Sequence, residues 1–129
     1  MKITRGQFLL APFALAAAPA PRIAYVCGDH EYSGEVTLPL FAQAMEQRYQ
    51  FRSDLIRSAP DQNAESNIPG LERLADADLC VLFLRWRKLP KEQLDHLDTY
   101  LKSGKPVVAL RTSSHSFNYP KGCLLYTSD

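Results

Sequence analysis

The 129-residue chain has few cysteines, a single tryptophan and no surplus of either charge. Three cysteines, Cys27, Cys80 and Cys123, make no disulfide framework. Cys27 and Cys80 fall at or inside apolar segments and read as small buried thiols. Lys and Arg number 15 against 14 Asp and Glu, a net charge of +1. Such a balance offers no basic face for nucleic acid, and that class of partner is set aside. No stretch reaches the roughly 20 apolar residues that a membrane-spanning helix needs. There is no internal repeat, low-complexity tract or linker, so the chain holds one domain at most. No Gly-x-Ser-x-Gly elbow is present either, which weakens any serine-hydrolase reading.

What is present begins with two terminal segments that stand apart from the core. Lys2 and Arg5 precede an apolar run from Phe8 to Ala20, the pattern of a secretory signal peptide over residues 1–20. Pro12, Pro19 and Pro21 speak against a buried helix there. Thr4-Arg5-Gly6-Gln7-Phe8-Leu9 is similar to a twin-arginine signal, with Gly6 in place of the second Arg, so the export route is left open. At the other end, Cys123 to Asp129 resembles translated sequencing adapter, and residues 122–129 are read as a non-native tail. On that reading the domain spans 21–121 and its natural sequence continues; the alternative is an extra strand.

Between these ends, strand and helix signals alternate, which predicts a parallel sheet covered by helices. Arg22 to Cys27 is a nearly continuous apolar run, as a strand buried on both faces requires, and Gly28 lets the chain turn. A helix is predicted from Leu38 to Tyr49, with Thr37 as its cap and Pro39 in its first turn. Phe51 to Ile56 reads as a second strand, and the polar stretch from Ser58 to Pro69 as a surface loop. Gly70 to Ala75 suits a short helical turn, and Leu79 to Leu84 is the clearest strand. Leu89-Pro90 opens a helix through Lys102, closed by Gly104 and Pro106, and Val107 to Leu110 is the last strand. The expected fold is α/β: a three-layer, flavodoxin-like parallel sheet.

In such sheets ligands bind beyond the carboxyl ends of the strands. Three strands end in polar, reactive residues: Asp29-His30-Glu31, Arg85-Trp86-Arg87 and Arg111-Thr112-Ser113-Ser114-His115. His115 is suited to acid–base work or metal ligation, and Ser113 is a weak candidate nucleophile. Equally, Thr112 to Ser116 can simply cap a helix. Arg111 and Thr112 are candidate ligand contacts, Arg through its planar fork. His30 between two carboxylates is ordinary metal chemistry, but consecutive residues seldom point at one ion. A metal site is therefore the minority reading, and His30, Asp29 and Glu31 are read as ligand or loop contacts. Arg85, Trp86 and Arg87 suit a carbohydrate, the ring face stacking on the sugar; cation–π packing on a surface loop is the alternative. His96, off the Leu94/Leu97/Leu101 stripe, is expected to be solvated and without function.

Taken in succession, Gly28-Asp-His-Glu-Tyr32, Leu38-Pro39, Phe83-Leu-Arg-Trp-Arg87 and Ala109 to Phe117 resemble the ThuA-like, trehalose-utilisation-type family. That family belongs to the class I glutamine amidotransferase-like superfamily, and the resemblance covers Arg22 to Lys121. The superfamily's amidotransferases carry a nucleophilic Cys on the turn after the strand matching Val107–Leu110. Here that turn holds Arg111 and Thr112, so the resemblance does not extend to glutaminase chemistry. It implies a protein of carbohydrate utilisation, with a sugar or oxidised sugar derivative as its small-molecule ligand; the N-terminal segment adds export, and no cofactor is expected. The alternatives are a non-catalytic sugar-binding or interaction domain, and a hydrolase using Ser113 or His115. The residues fix neither a reaction type nor an oligomeric state.

Overall fold

Ile23 to Cys27 are buried along the whole of β1 (Arg22–Gly28), as their apolar run requires of an internal parallel strand. The computed structural model describes residues 18–120; most of the segment 1–20 read as a signal peptide, and the whole of the segment 122–129 read as a non-native tail, lie outside the described residues. β1 pairs on one side with β2 (Arg52–Arg57) and on the other with β3 (Leu79–Leu84), which in turn pairs with β4 (Val107–Ala109). The order is β2-β1-β3-β4 and every pair is parallel.

Strand alternation divides β1 between two cores. Ala24 and Val26 join Leu71 and Leu74 of a 3-10 turn (Leu71–Asp76) and Leu97 and Tyr100 of helix α2 (Lys91–Lys102). Ile23, Tyr25 and Cys27 face Leu38 and Ala42 of helix α1 (Gly34–Tyr49) on the opposite side. The fold is thus α/β with three layers in the flavodoxin-like arrangement.

α1 begins at Gly34, four positions before the predicted start, and its cap is Ser33 in left-handed backbone rather than Thr37. Thr37 lies within the first turn, its hydroxyl donating to Ser33 O at 3.1 Å. Pro39 is inside the helix and forgoes one intrahelical bond. The cause is contact with the sheet: a Cβ on Gly34 would lie 2.4 Å from the Phe83 ring and 3.0 Å from Cys27 Sγ. Only a residue without a side chain lets the helix start so close to β1 and β3.

β4 is one of the two edge strands among the described residues, with all three of its residues exposed. Val107 and Val108 are 36% and 46% exposed, and an apolar trough of about 430 Å³ between α1 and the sheet is lined by Val108. Open, uncharged edges template pairing with further strands. For the 129-residue chain concentration-dependent self-association is expected, and Val108→Lys should suppress it in sedimentation velocity. Equal association by parent and variant would show that another surface is responsible.

Candidate functional site

The strand order β2-β1-β3-β4 places the switch point between β1 and β3, the position beyond whose carboxyl ends ligands bind in such sheets. Gly28 ends β1 without a positive φ, so it is not the turn the sequence suggested. Its role is close approach: a Cβ there would sit 3.0 Å from Ile68 and Leu84 and 3.1 Å from Arg87. The Gly28 carbonyl accepts from Arg85 N–H at 2.9 Å, fastening the β1 exit to the β3 exit. Asp29 follows, fully buried, its carboxylate accepting the N–H groups of Tyr32 (2.7 Å) and Glu31 (3.3 Å). It shapes the turn that leads into α1.

Arg87 is also fully buried. Its guanidinium donates to Arg85 O (2.8 Å), Ala64 O (2.9 Å), Gln62 O (3.2 Å) and Ser58 Oγ (3.4 Å), and contacts His30 Nδ1 at 2.8 Å. Burial pushes its pKa below the ordinary value, against the opposing pull of Glu65 and Asp29. Arg nonetheless stays protonated in proteins, so Nδ1 of His30 is the acceptor and the ring presents Nε2–H. One side chain thus joins the β1 exit, the β3 exit and the loop after β2.

The exposed members of the rim form aromatic–cation pairs. Trp86, 40% exposed, has a left-handed backbone (φ 51°), which a bulky residue adopts only under constraint. That constraint comes from neighbouring bonds: Trp86 N–H to His115 O (2.8 Å) and Arg87 N–H to Ser116 O (2.7 Å). Arg85 lies 4.5 Å over the indole ring and pairs with Glu31 at 3.1 Å. Arg111 lies 5.7 Å over the Tyr32 ring.

After β4 the chain forms a 3-10 turn, Arg111–His115. Ser113 Oγ donates to Leu82 O (2.9 Å) and accepts from Leu84 N–H (3.2 Å), tying this exit to β3. Thr112 is buried, with its hydroxyl unpartnered. His115 is exposed, its Nδ1 2.9 Å from Ser114 Oγ. His96 is exposed on α2. The structure therefore brings all three sequence-predicted groups onto one rim. Within it, Glu31, Trp86, Arg111 and His115 face outward, Arg85 is half-buried, and Asp29, Arg87 and Thr112 are enclosed.

A cleft of about 570 Å³ opens at the same rim, between the β1 and β2 exits. Glu35, Arg57, Ser58, Asp61 and Asn63 line it, with Asp29 and Cys27 at its inner wall. Of these, sequence reasoning singled out only Asp29 as a site residue. The rule that flagged the other strands applies equally to β2, whose exit is Arg57-Ser58. Reading the following residues as a plain surface loop hid that signal.

Among the described residues no cluster of His, Cys, Asp and Glu is placed to hold a metal ion, and no helix is long and apolar enough to cross a membrane. Compared with known proteins, the chain matches no family model, no curated protein and no solved structure.

Proposed function

We propose that the carboxyl rim of the sheet binds a sugar or sugar derivative, in an exported protein of carbohydrate utilisation. The pathway and the export rest on the ThuA-like resemblance and the leader. The ligand class is supported by one observation above the rest: the β1, β3 and β4 exits are bonded into one surface that holds the Trp86 ring out to solvent. Strained backbone concentrates at functional positions, and an exposed ring with Arg85 stacked over it, on the same rim as Arg111 over Tyr32, suits a sugar's apolar face and its hydroxyls.

The state of Ser113 favours the non-catalytic form of this reading. Its hydroxyl is engaged with β3 as both donor and acceptor, and the Arg111-Thr112 turn carries no Cys. His115 is the remaining acid–base candidate.

Calorimetric titration with mono- and disaccharides, including keto and uronic forms, tests the proposal. At least one should bind, and Arg111→Ala should weaken it by about 1.5–3 kcal/mol through loss of a charge-assisted hydrogen bond. His96→Ala should change nothing. If no sugar binds, the carbohydrate reading gives way to an interaction domain; if one binds and Arg111→Ala holds it as tightly as the parent, the Trp86 platform is not where it sits.

A further inference from the structure

The rim carries an aromatic platform on the β3 and β4 side and a cleft on the β1 and β2 side. Arg87 braces both, since its guanidinium holds His30 on one flank and the 58–64 loop on the other. We infer that the cleft is a recognition pocket for a polyol without a carboxylate, a neutral sugar unit. This deepens the carbohydrate reading and rests on it.

The chemistry of the walls carries the argument. A sugar hydroxyl both donates and accepts, so its partners must supply both functions. Glu35 and Asp61 accept; Arg57 donates; Asn63 does both. Arg57 is exposed and has no ion-pair partner among the described residues, so its fork is open to a ligand. Glu35 is held in place: with its amide oriented to donate, Gln62 reaches both carboxylate oxygens, at 2.5 and 2.9 Å. Ser58 Oγ accepts from Arg87 and keeps its own proton to give.

The charges then discriminate among ligands. An acidic ligand would meet Glu35, Asp61 and the buried Asp29 with Arg57 as its one exposed counter-charge. An uncharged polyol avoids that penalty and uses every group. A volume of about 570 Å³ lies within the span of small-molecule sites, roughly 300–1,000 Å³. It leaves room for more than one sugar ring.

The test is titration of matched neutral and uronic sugars into the parent and into Arg57→Gln, Glu35→Gln and Arg111→Ala. Thermal unfolding of each variant checks that the fold is kept. Neutral sugars should bind more tightly than their uronates, and Arg57→Gln and Glu35→Gln should each weaken them roughly tenfold, as loss of one hydrogen bond to a charged group predicts. If sugars bind and Arg111→Ala weakens them, while Arg57→Gln and Glu35→Gln match the parent, the cleft inference falls and the platform reading stands. Tighter binding of the uronates would overturn the uncharged class. If no sugar of either kind binds, both readings fall together.

Discussion

Arg87→Met should cost the domain about 3–5 kcal/mol of stability, in the range seen when a buried charged network loses a partner. Arg87 is fully buried and serves five groups at once. Methionine fills much of its volume but donates nothing. The carbonyls of Gln62, Ala64 and Arg85, and His30 Nδ1, are then left without their donor. Each enclosed orphan costs about 1–3 kcal/mol, reduced where the loop can swing out to water. The 58–64 loop lies at the surface and can relax, so the total stays below the simple sum. Against the roughly 5–15 kcal/mol of a typical domain this is a large fraction. Urea unfolding of parent and variant measures it, with Arg111→Ala as the exposed control expected within about 0.5 kcal/mol. A loss below about 1 kcal/mol for Arg87→Met would mean that water replaces the guanidinium, and that the rim is not braced by it. Arg87→Lys separates charge from shape: an ammonium cannot span carbonyls and imidazole as the fork does. It should recover little.

Arg87 also shows where sequence reasoning reaches its limit. Arg85 and Arg87 stand two positions apart, and in a regular strand they would share a face. Trp86 between them takes a left-handed backbone, which breaks the alternation and sends Arg87 inward while Arg85 stays near the surface. Nothing in the letters Arg-Trp-Arg announces that reversal, since it depends on bonds to His115 and Ser116 from a distant strand exit. The strands themselves were legible because burial on both faces leaves a one-dimensional trace: the apolar runs of β1 and β3 fall where they were read. For α1 the polar cap Thr37 and the proline Pro39 mark a start four residues too late. The actual start is set by Gly34 against Phe83, a tertiary contact. Ser113 is a third case. Its type allows nucleophilic chemistry, but its position beside Leu82 and Leu84 engages both its donor and its acceptor function. Residue type proposes a role, and the packing partner decides it.

Stability should fall steeply in alkali. Cys27 and Cys80 are both free and buried. They lie on adjacent strands but in opposite cores, with Cys27 registered against Phe83 and Cys80 against Ala24, so they cannot bridge without rebuilding the sheet. Burial, with Glu35 and Asp29 nearby for the first, pushes Cys27 from 9.0 to about 11, and burial alone pushes Cys80 from 9.0 to about 12. Unfolded thiols ionise first, so above the unfolded value the unfolded chain binds fewer protons than the folded one, and stability declines as pH rises. The contribution is complete below 9.0 and is lost progressively as the folded thiols' values near 11 and 12 are approached and passed. By about pH 10.5 each thiol should remove about 2 kcal/mol. Tyr25 and Tyr100, raised by burial in the same way, add to the loss at higher pH. Urea midpoints between about pH 8 and 10.5 should therefore drop for the parent and drop much less for Cys27→Ala/Cys80→Ala. A flat parent profile, or an equal decline in the double variant, would show that these thiols ionise as readily in the folded sheet as outside it.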